Sequence, residues 1–242
     1  MMKRTTMDGK TVNQRTYDMV KLWEFNCLED LFVIQGSYNA GGVSASAGTH
    51  DGGGAVDISV RDLGSLSAKR WRVKQGRLAG FAAWYRPTIS GLWSEHIHAI
   101  AIGDPEMSSG ARNQVSAYYD GRDGLVSNLR DQDPRVSPIP VFPKVPLKKV
   151  SLLTAYWQFK TSKPVSRYAV KRIQWVLNEK LDAGLTCDGV AGPKTRSAYK
   201  HWETRIGAPA ADGVPGKYSL SKLGQGRFKM SVVDYEKWLA GK

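Results

Sequence analysis

Cysteine is almost missing from this sequence: Cys27 and Cys187 are the only two in 242 residues. Two thiols so far apart exclude a disulfide framework and a CxxC zinc site. They are expected to be reduced, as in a protein made in the cytoplasm. Long apolar runs are missing too. No stretch approaches the roughly eighteen residues of a membrane-spanning helix. The opening "MMKRTTMDGK" is basic but has no apolar stretch behind it, so no secretory signal is read. Histidine is scarce, with four in the chain. Acidic residues are outnumbered by basic ones, 22 to 35, which leaves a net charge of +13. That excess points to an acidic partner such as nucleic acid, a membrane surface or an anionic polymer.

What is present is unevenly distributed. From Met1 to Gln132 there are 15 Lys and Arg against 14 Asp and Glu; from Asp133 onward there are 20 against 8. The two halves are therefore expected to meet different partners. Hydrophobic residues make up 41 %, with eight Trp, so a real core is expected and global disorder is not. Between the halves, "DPRVSPIPVFPKVPLKK" carries five prolines, a density suited to an extended linker. Domains are accordingly expected at 1–132 and 151–242, with 133–150 as linker.

In the first half, residues Thr11 to Phe32 read as a helix with Tyr17, Val20, Trp23 and Leu28 on its apolar face. "LFVIQGSYN", "AVDISV" and "EHIHAIAIG" read as strands. "SAKRWRVKQGRLAGFAAWYR" reads as one amphipathic helix with Trp71, Leu78, Phe81 and Trp84 inward, weakened by Gly76 and Gly80. Strands and helices mixed in this way predict an α+β unit. In the second half, "YAVKRIQWVLNEKL" repeats Val170, Ile173, Leu177 and Leu181 at helical spacing. "GPKTRSAYKHWETRIG" reads as a second helix, with Pro193 at its start and Gly207 at its end. Asp-Gly-Val-x-Gly occurs twice, from Asp188 and from Asp212, which marks a small internal repeat.

"SAGTHDGGGAVDI" sets His50 and Asp57 on either side of a glycine cluster, and "WSEHIHAIAIG" gathers Glu95, His96 and His98 at the start of a strand. Either segment alone is most simply a polar turn or strand edge, since glycines permit tight turns without any metal. Together they hold three of the four histidines. Zinc hydrolases use three His or carboxylate ligands and leave one position open for water, whose pKa falls to about 7. His50, Asp57 and His98 would complete such a set, with Glu95 as the proton acceptor. His96 shares a strand face with His98 and competes with it. Asp51 reads as a solvated turn residue.

"GTHDGGGAVDI" followed by "SEHIHAI" resembles the zinc peptidases of the D-alanyl-D-alanine carboxypeptidase and L-alanyl-D-glutamate endopeptidase family, relatives of the hedgehog N-terminal fold. The match covers roughly Val33 to Gly103. The resemblance implies a small mixed fold whose antiparallel sheet carries the site, zinc on His50, Asp57 and His98, and Glu95 as catalytic base. The family spacing favours His98 over His96, which goes to the cleft wall. The family's upstream arginine, which steadies the oxyanion, has no counterpart in "QGSYN". Gln35 or Tyr38 is the expected substitute, since neutral donors can serve an oxyanion.

"AVKRIQWVLNEKL…CDGVAGPKTRSAYKHWETRIG", Tyr168 to Gly207, resembles the three-helix peptidoglycan-binding module. Asp188, Gly189, Gly192 and Thr195 match its motif; His201-Trp202 stands where the family has Phe-Gln. Both resemblances imply one substrate. They predict a peptidoglycan hydrolase of the bacteriophage endolysin type that cuts a stem-peptide or cross-link bond with Zn2+. Its expected partners are peptidoglycan and anionic wall polymers, without nucleic acid or membrane insertion. It is expected as a monomer, made in the host cytoplasm and released to the cell wall. The alternatives are a D,D-carboxypeptidase or dipeptidase that trims stem peptides, and a non-catalytic wall- or DNA-binding protein.

Overall fold

The chain forms two compact units, Met1–Val145 and Pro146–Lys242. The computed structural model describes residues 1–42, 44–140, 142, 148–162, 167–225 and 230–233. Its architecture is mixed α+β. Among the described residues, no helix is long and apolar enough to cross a membrane.

The first unit opens with a hairpin, β1 (Arg4–Met7) and β2 (Lys10–Asn13). Asp8 and Gly9 turn it with φ of 49° and 73°, as the twist of a two-residue loop requires. Helix α1 (Gln14–Cys27) therefore begins later than the apolar pattern alone suggests. Asn13 caps it by accepting from Thr16 N at 2.8 Å, and Leu28 stops it in the left-handed region. The main sheet holds β3 (Val33–Gln35), β4 (Ala55–Ser59), β5 (Phe81–Arg86) and β6 (His96–Ala101). Its order is β3-β4-β6-β5, antiparallel throughout.

The expected long helix before "WYR" is two elements. Helix α2 (Leu66–Leu78) ends at a turn where Gly80 takes φ of 96°, and the chain reverses into β5. Phe81 and Trp84 are therefore strand residues on opposite faces of the sheet, and Trp71 is exposed. Gly76 is not a weak helix former by accident. A Cβ there would sit 2.5 Å from the Trp23 ring, so α1 and α2 can meet only across a glycine.

Residue parity divides the sheet. Phe81, Ala83, Ile58 and Ile97 share one face, where Phe81 lies 5.3 Å from Trp23 of α1 between ring centroids. Ala55, Ala82, Trp84 and Ile100 share the other, packed with Ala111, Val115 and Tyr118 of α3 (Ser109–Tyr119). The polar ends of that second face, Gln35, Asp57, Arg86, His96 and His98, form the candidate site.

The proline-rich stretch departs from the expected 133–150 linker. Asp133 accepts from Tyr85 N at 2.8 Å, and the buried Arg77 donates to Asp133 O and Pro134 O, both at 3.1 Å. Arg15 donates to Phe142 O at 3.2 Å. The stretch is thus tied to the first unit through Asp133, Pro134 and Phe142 instead of bridging open space, and residues 143–147 lie outside the described set. At the other end, Lys148–Ser151 is already strand β7, paired in parallel with β8 (Met230–Val233).

The second unit adds helices α4 (Leu152–Thr161), α5 (Arg167–Leu181), α6 (Pro193–Arg205) and α7 (Lys217–Leu223). Val170, Ile173 and Leu177 are fully buried with Phe159, Tyr199 and Leu220, as their spacing predicts; Leu181 lies at the margin. The sequence repeat is a structural repeat. Gly189 N donates to Gln174 Oε1 and Gly213 N to Glu203 Oε2, each at 2.8 Å. The two glycines have φ of 78° and 77°, which a Cβ would strain. Each turn is thus hung from a polar side chain buried on the preceding helix.

Two predictions follow from this packing. Gly76→Ala should gain helix propensity of about 1 kcal/mol yet lose more to overpacking, for a net cost of about 1–2 kcal/mol in chemical denaturation; a neutral or stabilised variant would contradict the contact. Glu24 is buried on α1 and paired with Lys21 at 2.8 Å, and burial pushes its carboxyl up to about 7. A raised folded-state pKa stabilises below the ordinary value of 4.5 and is lost as pH rises through about 7. Melting curves between pH 4.5 and 8 should show a shallower decline for Glu24→Gln than for the parent.

Candidate metal centre

Asp57 and His98 are direct cross-strand partners on β4 and β6, and Gln35 of β3 lies opposite Asp57 on its other side. His50 reaches them from the loop that follows a short 3-10 turn, Ser44–Ser46. All three side chains are buried, and one ligand atom from each lies within 4.8 Å of the others. His98 Nδ1 stands 2.7 Å from Asp57 Oδ1. His50 Nε2 is 3.3 Å from the same oxygen and 3.4 Å from His98 Nδ1. Ligand atoms about 2.0–2.1 Å from a tetrahedral zinc stand about 3.3–3.4 Å apart. Two of the three separations already have that value.

The tautomer of His50 and the neutral ring of His98 suit a cation. His50 Nδ1 faces Gly36 O at 2.8 Å; a carbonyl only accepts, so Nδ1 carries the proton and Nε2 turns its lone pair to the cluster. Burial holds His98 down at about 4, so its ring is neutral at pH 7. Burial alone would raise Asp57, but the imidazoles of His50 and His98 beside it outweigh burial and keep the carboxyl below the usual range. Burial would lower His50, and Asp57 reverses this and raises it. Two imidazoles and an ionised carboxylate, brought together away from water, can hold a metal ion. His98 Nε2 is buried without a hydrogen-bond partner, and its ring stacks on Trp84 at 6.2 Å between centroids.

The glycine cluster does something other than bend the chain around an ion. A Cβ on Gly52 would lie 2.4 Å from Glu106 O, and one on Gly53 2.8 Å from Asn13 Nδ2. Gly53 N donates to Glu106 O at 2.7 Å. The glycines let this strand entry press against the loop 104–108, and that contact carries His50 into place. Asp51 is exposed, as expected of a turn residue.

No protein-family model, curated protein or solved structure matches this chain.

The expected catalytic residues separate. His96 lies on the face of His98, and its Nε2 is 3.9 Å from Asp57 Oδ2. Its Nδ1 faces Ser94 O at 2.8 Å, which leaves Nε2 with the lone pair in the neutral ring. Together with the three ligands it lines a small hollow that includes Gln35, Ser46, Arg86 and Trp93. Glu95 is not in that hollow. Three residues before His98 on a strand is the opposite parity, and Glu95 turns to α2, where Oε2 accepts from Lys69 Nζ and Tyr85 OH, both at 2.6 Å. Those contacts hold its carboxyl below the usual range.

The two expected oxyanion donors divide in the same way. Gln35 lines the hollow and donates from Nε2 to Ser46 Oγ at 3.0 Å. Tyr38 is held elsewhere: its hydroxyl bonds Glu106, accepts from Asn13 Nδ2 at 3.1 Å, and burial first and Glu106 second push it up to about 12. Arg86 was missed. It lines the hollow, directly opposite His96 in register, but its position is visible only once "FAAWYR" is read as a strand.

In the second unit, Asp188, Gly189 and Thr195 belong to the turn's own scaffold. Gln174 Nε2 donates to Asp188 Oδ1 at 2.8 Å, Val190 O at 3.0 Å and Thr195 Oγ1 at 3.1 Å. Gly192 is the cap of α6. Of these only Asp188 is exposed.

His50→Ala, Asp57→Ala and His98→Ala should each abolish tight binding of one equivalent of Zn2+ in calorimetric titration, whereas Glu95→Gln should bind as the parent does. Undiminished binding by any of the three alanine variants would remove that residue from the centre.

Proposed function

We propose that the first unit is a zinc peptidase that acts on the peptide part of bacterial peptidoglycan, and that the second holds it to the wall. The observation that carries the reading is the buried His50-Asp57-His98 cluster, with a further histidine beside it in one hollow. Zinc bound there supplies Lewis acidity, which makes water a nucleophile at neutral pH and polarises the carbonyl under attack. The chain's own part is proton transfer and orientation. His96 Nε2 takes the proton from water and returns it to the leaving amine nitrogen. The Ser94 carbonyl fixes the tautomer that this needs. Gln35 and Arg86 carry N–H groups on the walls of the hollow, where they can orient the substrate carbonyl. Glu95, held by Lys69 and Tyr85, steadies the sheet's other face.

A donor set of two imidazoles and one carboxylate with a position left open supports zinc. A four-stranded antiparallel sheet with ligands on two adjacent strands and one loop is in keeping with the D-alanyl-D-alanine peptidase type of fold. The basic second half supports the wall reading on charge, since an acidic polymer is retained by it and the effective concentration of substrate rises. An endolysin role joins these two parts into one activity.

The test is release of peptides from purified sacculi. His96→Ala should lose about 10²–10⁴-fold in rate with zinc content unchanged, and Glu95→Gln should stay within about tenfold of the parent. A parent that releases nothing, with or without zinc, would end the peptidase reading. A loss in Glu95→Gln equal to that in His96→Ala would return the base to Glu95.

A further inference from the structure

Two buried atoms beside the metal centre have no hydrogen-bond partner, and their chemistry is complementary. One is the ring nitrogen His98 Nε2; the other is the amide oxygen Oε1 of Gln114, on α3. Both residues line the small hollow, about 70 Å³ in volume, that also receives His50 and Asp57. Neither atom reaches solvent, so each is costly to leave unpaired.

The need for a partner follows from which ring atom faces the cluster. His98 Nδ1 stands 2.7 Å from Asp57 Oδ1 and 3.4 Å from His50 Nε2, so Nδ1 is the atom that would hold an ion. Beside the carboxylate alone, Nδ1 carries the proton of the neutral ring, because a carboxylate only accepts. Once Nδ1 gives its lone pair to an ion, the ring's one proton sits on Nε2. A metal-bound imidazole is held in place by an acceptor for that second N–H. His50 already has one, since its Nδ1 faces Gly36 O at 2.8 Å. His98 has none.

Gln114 is placed to supply it. It shares the inward face of α3 with Ala111, Val115 and Tyr118, which pack on Trp84. The Trp84 ring in turn stacks on His98, 6.2 Å between centroids. The turn that follows α3 holds the stem of Gln114: Gly124 has φ of 69°, and a Cβ on it would lie 3.2 Å from Gln114 Cγ. Among the described residues, Gln114 Oε1 is the one buried, unpartnered side-chain oxygen that borders the hollow. Arg86, on the same wall, can only donate. A water takes up about 30 Å³, so the hollow has room for a bridging one.

We propose that Gln114 is a positioning residue of the metal centre: its Oε1 accepts the Nε2 proton of His98, directly or through one water, and so locks the ring with Nδ1 turned to the ion. The role needs the metal centre but not the peptidase reading.

Zinc affinity of the full chain, read by competition with a chelator of known strength, tests this. Gln114→Leu should bind Zn2+ about 10–100-fold more weakly than the parent. Gln114→Glu keeps an acceptor and should bind at least as tightly as the parent. Tyr118→Phe removes the other unpartnered oxygen on that helix face, which does not border the hollow, and should leave affinity unchanged. Without zinc, Gln114→Leu should melt no lower than the parent, because it removes a buried oxygen that has no partner. A merely structural role predicts the reverse, a lower melting temperature with affinity unchanged. With 15N-labelled histidine, the zinc-loaded parent should show His98 protonated on Nε2, and that proton resonance should move upfield in Gln114→Leu. Unchanged affinity in Gln114→Leu, an equal loss in Gln114→Glu, or a zinc-loaded His98 protonated on Nδ1 overturns the proposal. A parent that binds no Zn2+ overturns the centre and this role together. A parent that binds Zn2+ with the expected pattern but cuts no peptide ends the peptidase reading and leaves Gln114 in its role.

Discussion

The register between β4 and β6 is the constraint on which the site depends. It places Asp57 squarely opposite His98, and antiparallel pairing then sets Ser59 opposite His96 and Ala55 opposite Ile100. One slip of a residue would turn Asp57 into the α1–α2 core and bring Ile58 to the hollow. The apolar residues that alternate with the ligands prevent this, since Val56, Ile58, Ile97 and Ala99 are all fully buried on the far face. The same burial that fixes the register removes water from around the ligands. Chemistry and stability therefore share their atoms here. The charge of Asp57 is tolerated because two imidazoles face it, and those imidazoles are held in turn by a backbone carbonyl and by the Trp84 ring.

Much of this was legible in the sequence, and the reason lies in scarcity. A chain with four histidines that places three of them beside two glycine-flanked carboxylate segments leaves few ways to arrange them. His50, Asp57 and His98 could be named for that reason. Glu95 was misplaced because spacing along a chain says nothing of which side of the sheet a residue faces until the strand is known to be regular. A three-residue step carries a side chain through the sheet. Arg86 was hidden by the opposite error. "RLAGFAAWYR" has helical apolar spacing, and only the positive φ of Gly80 breaks it. The Asp133–Pro140 stretch looked like a linker because proline content records stiffness, not contact, and the contacts come from Arg77 far upstream.

The second unit teaches a similar lesson about motifs. Asp-Gly-Val was recognised as a repeat, and the structure explains it as two turns suspended in the same way. The suspending residue is an amide in one copy, Gln174, and a carboxylate in the other, Glu203. The motif letters thus describe how the turns are built. Any wall contact must be sought on the surface that those turns support.

The interlock between two loops has a consequence for how this unit can change over time. Gly52 and Gly53 press on the 104–108 segment, and a Cβ on Gly110 would meet Ala47 O at 2.9 Å, so the loop that bears His50 and the approach to α3 fit each other like the halves of a clasp. Neither half can acquire side chains unless the other yields. The two loops must therefore vary together, as one inherited unit, even though some fifty residues separate them. Drift in the His50 loop alone cannot rearrange the His50-Asp57-His98 cluster. The β5–β6 connection with Ile89, Leu92 and Trp93 is under no such constraint, since a Cβ on its Gly91 would meet nothing.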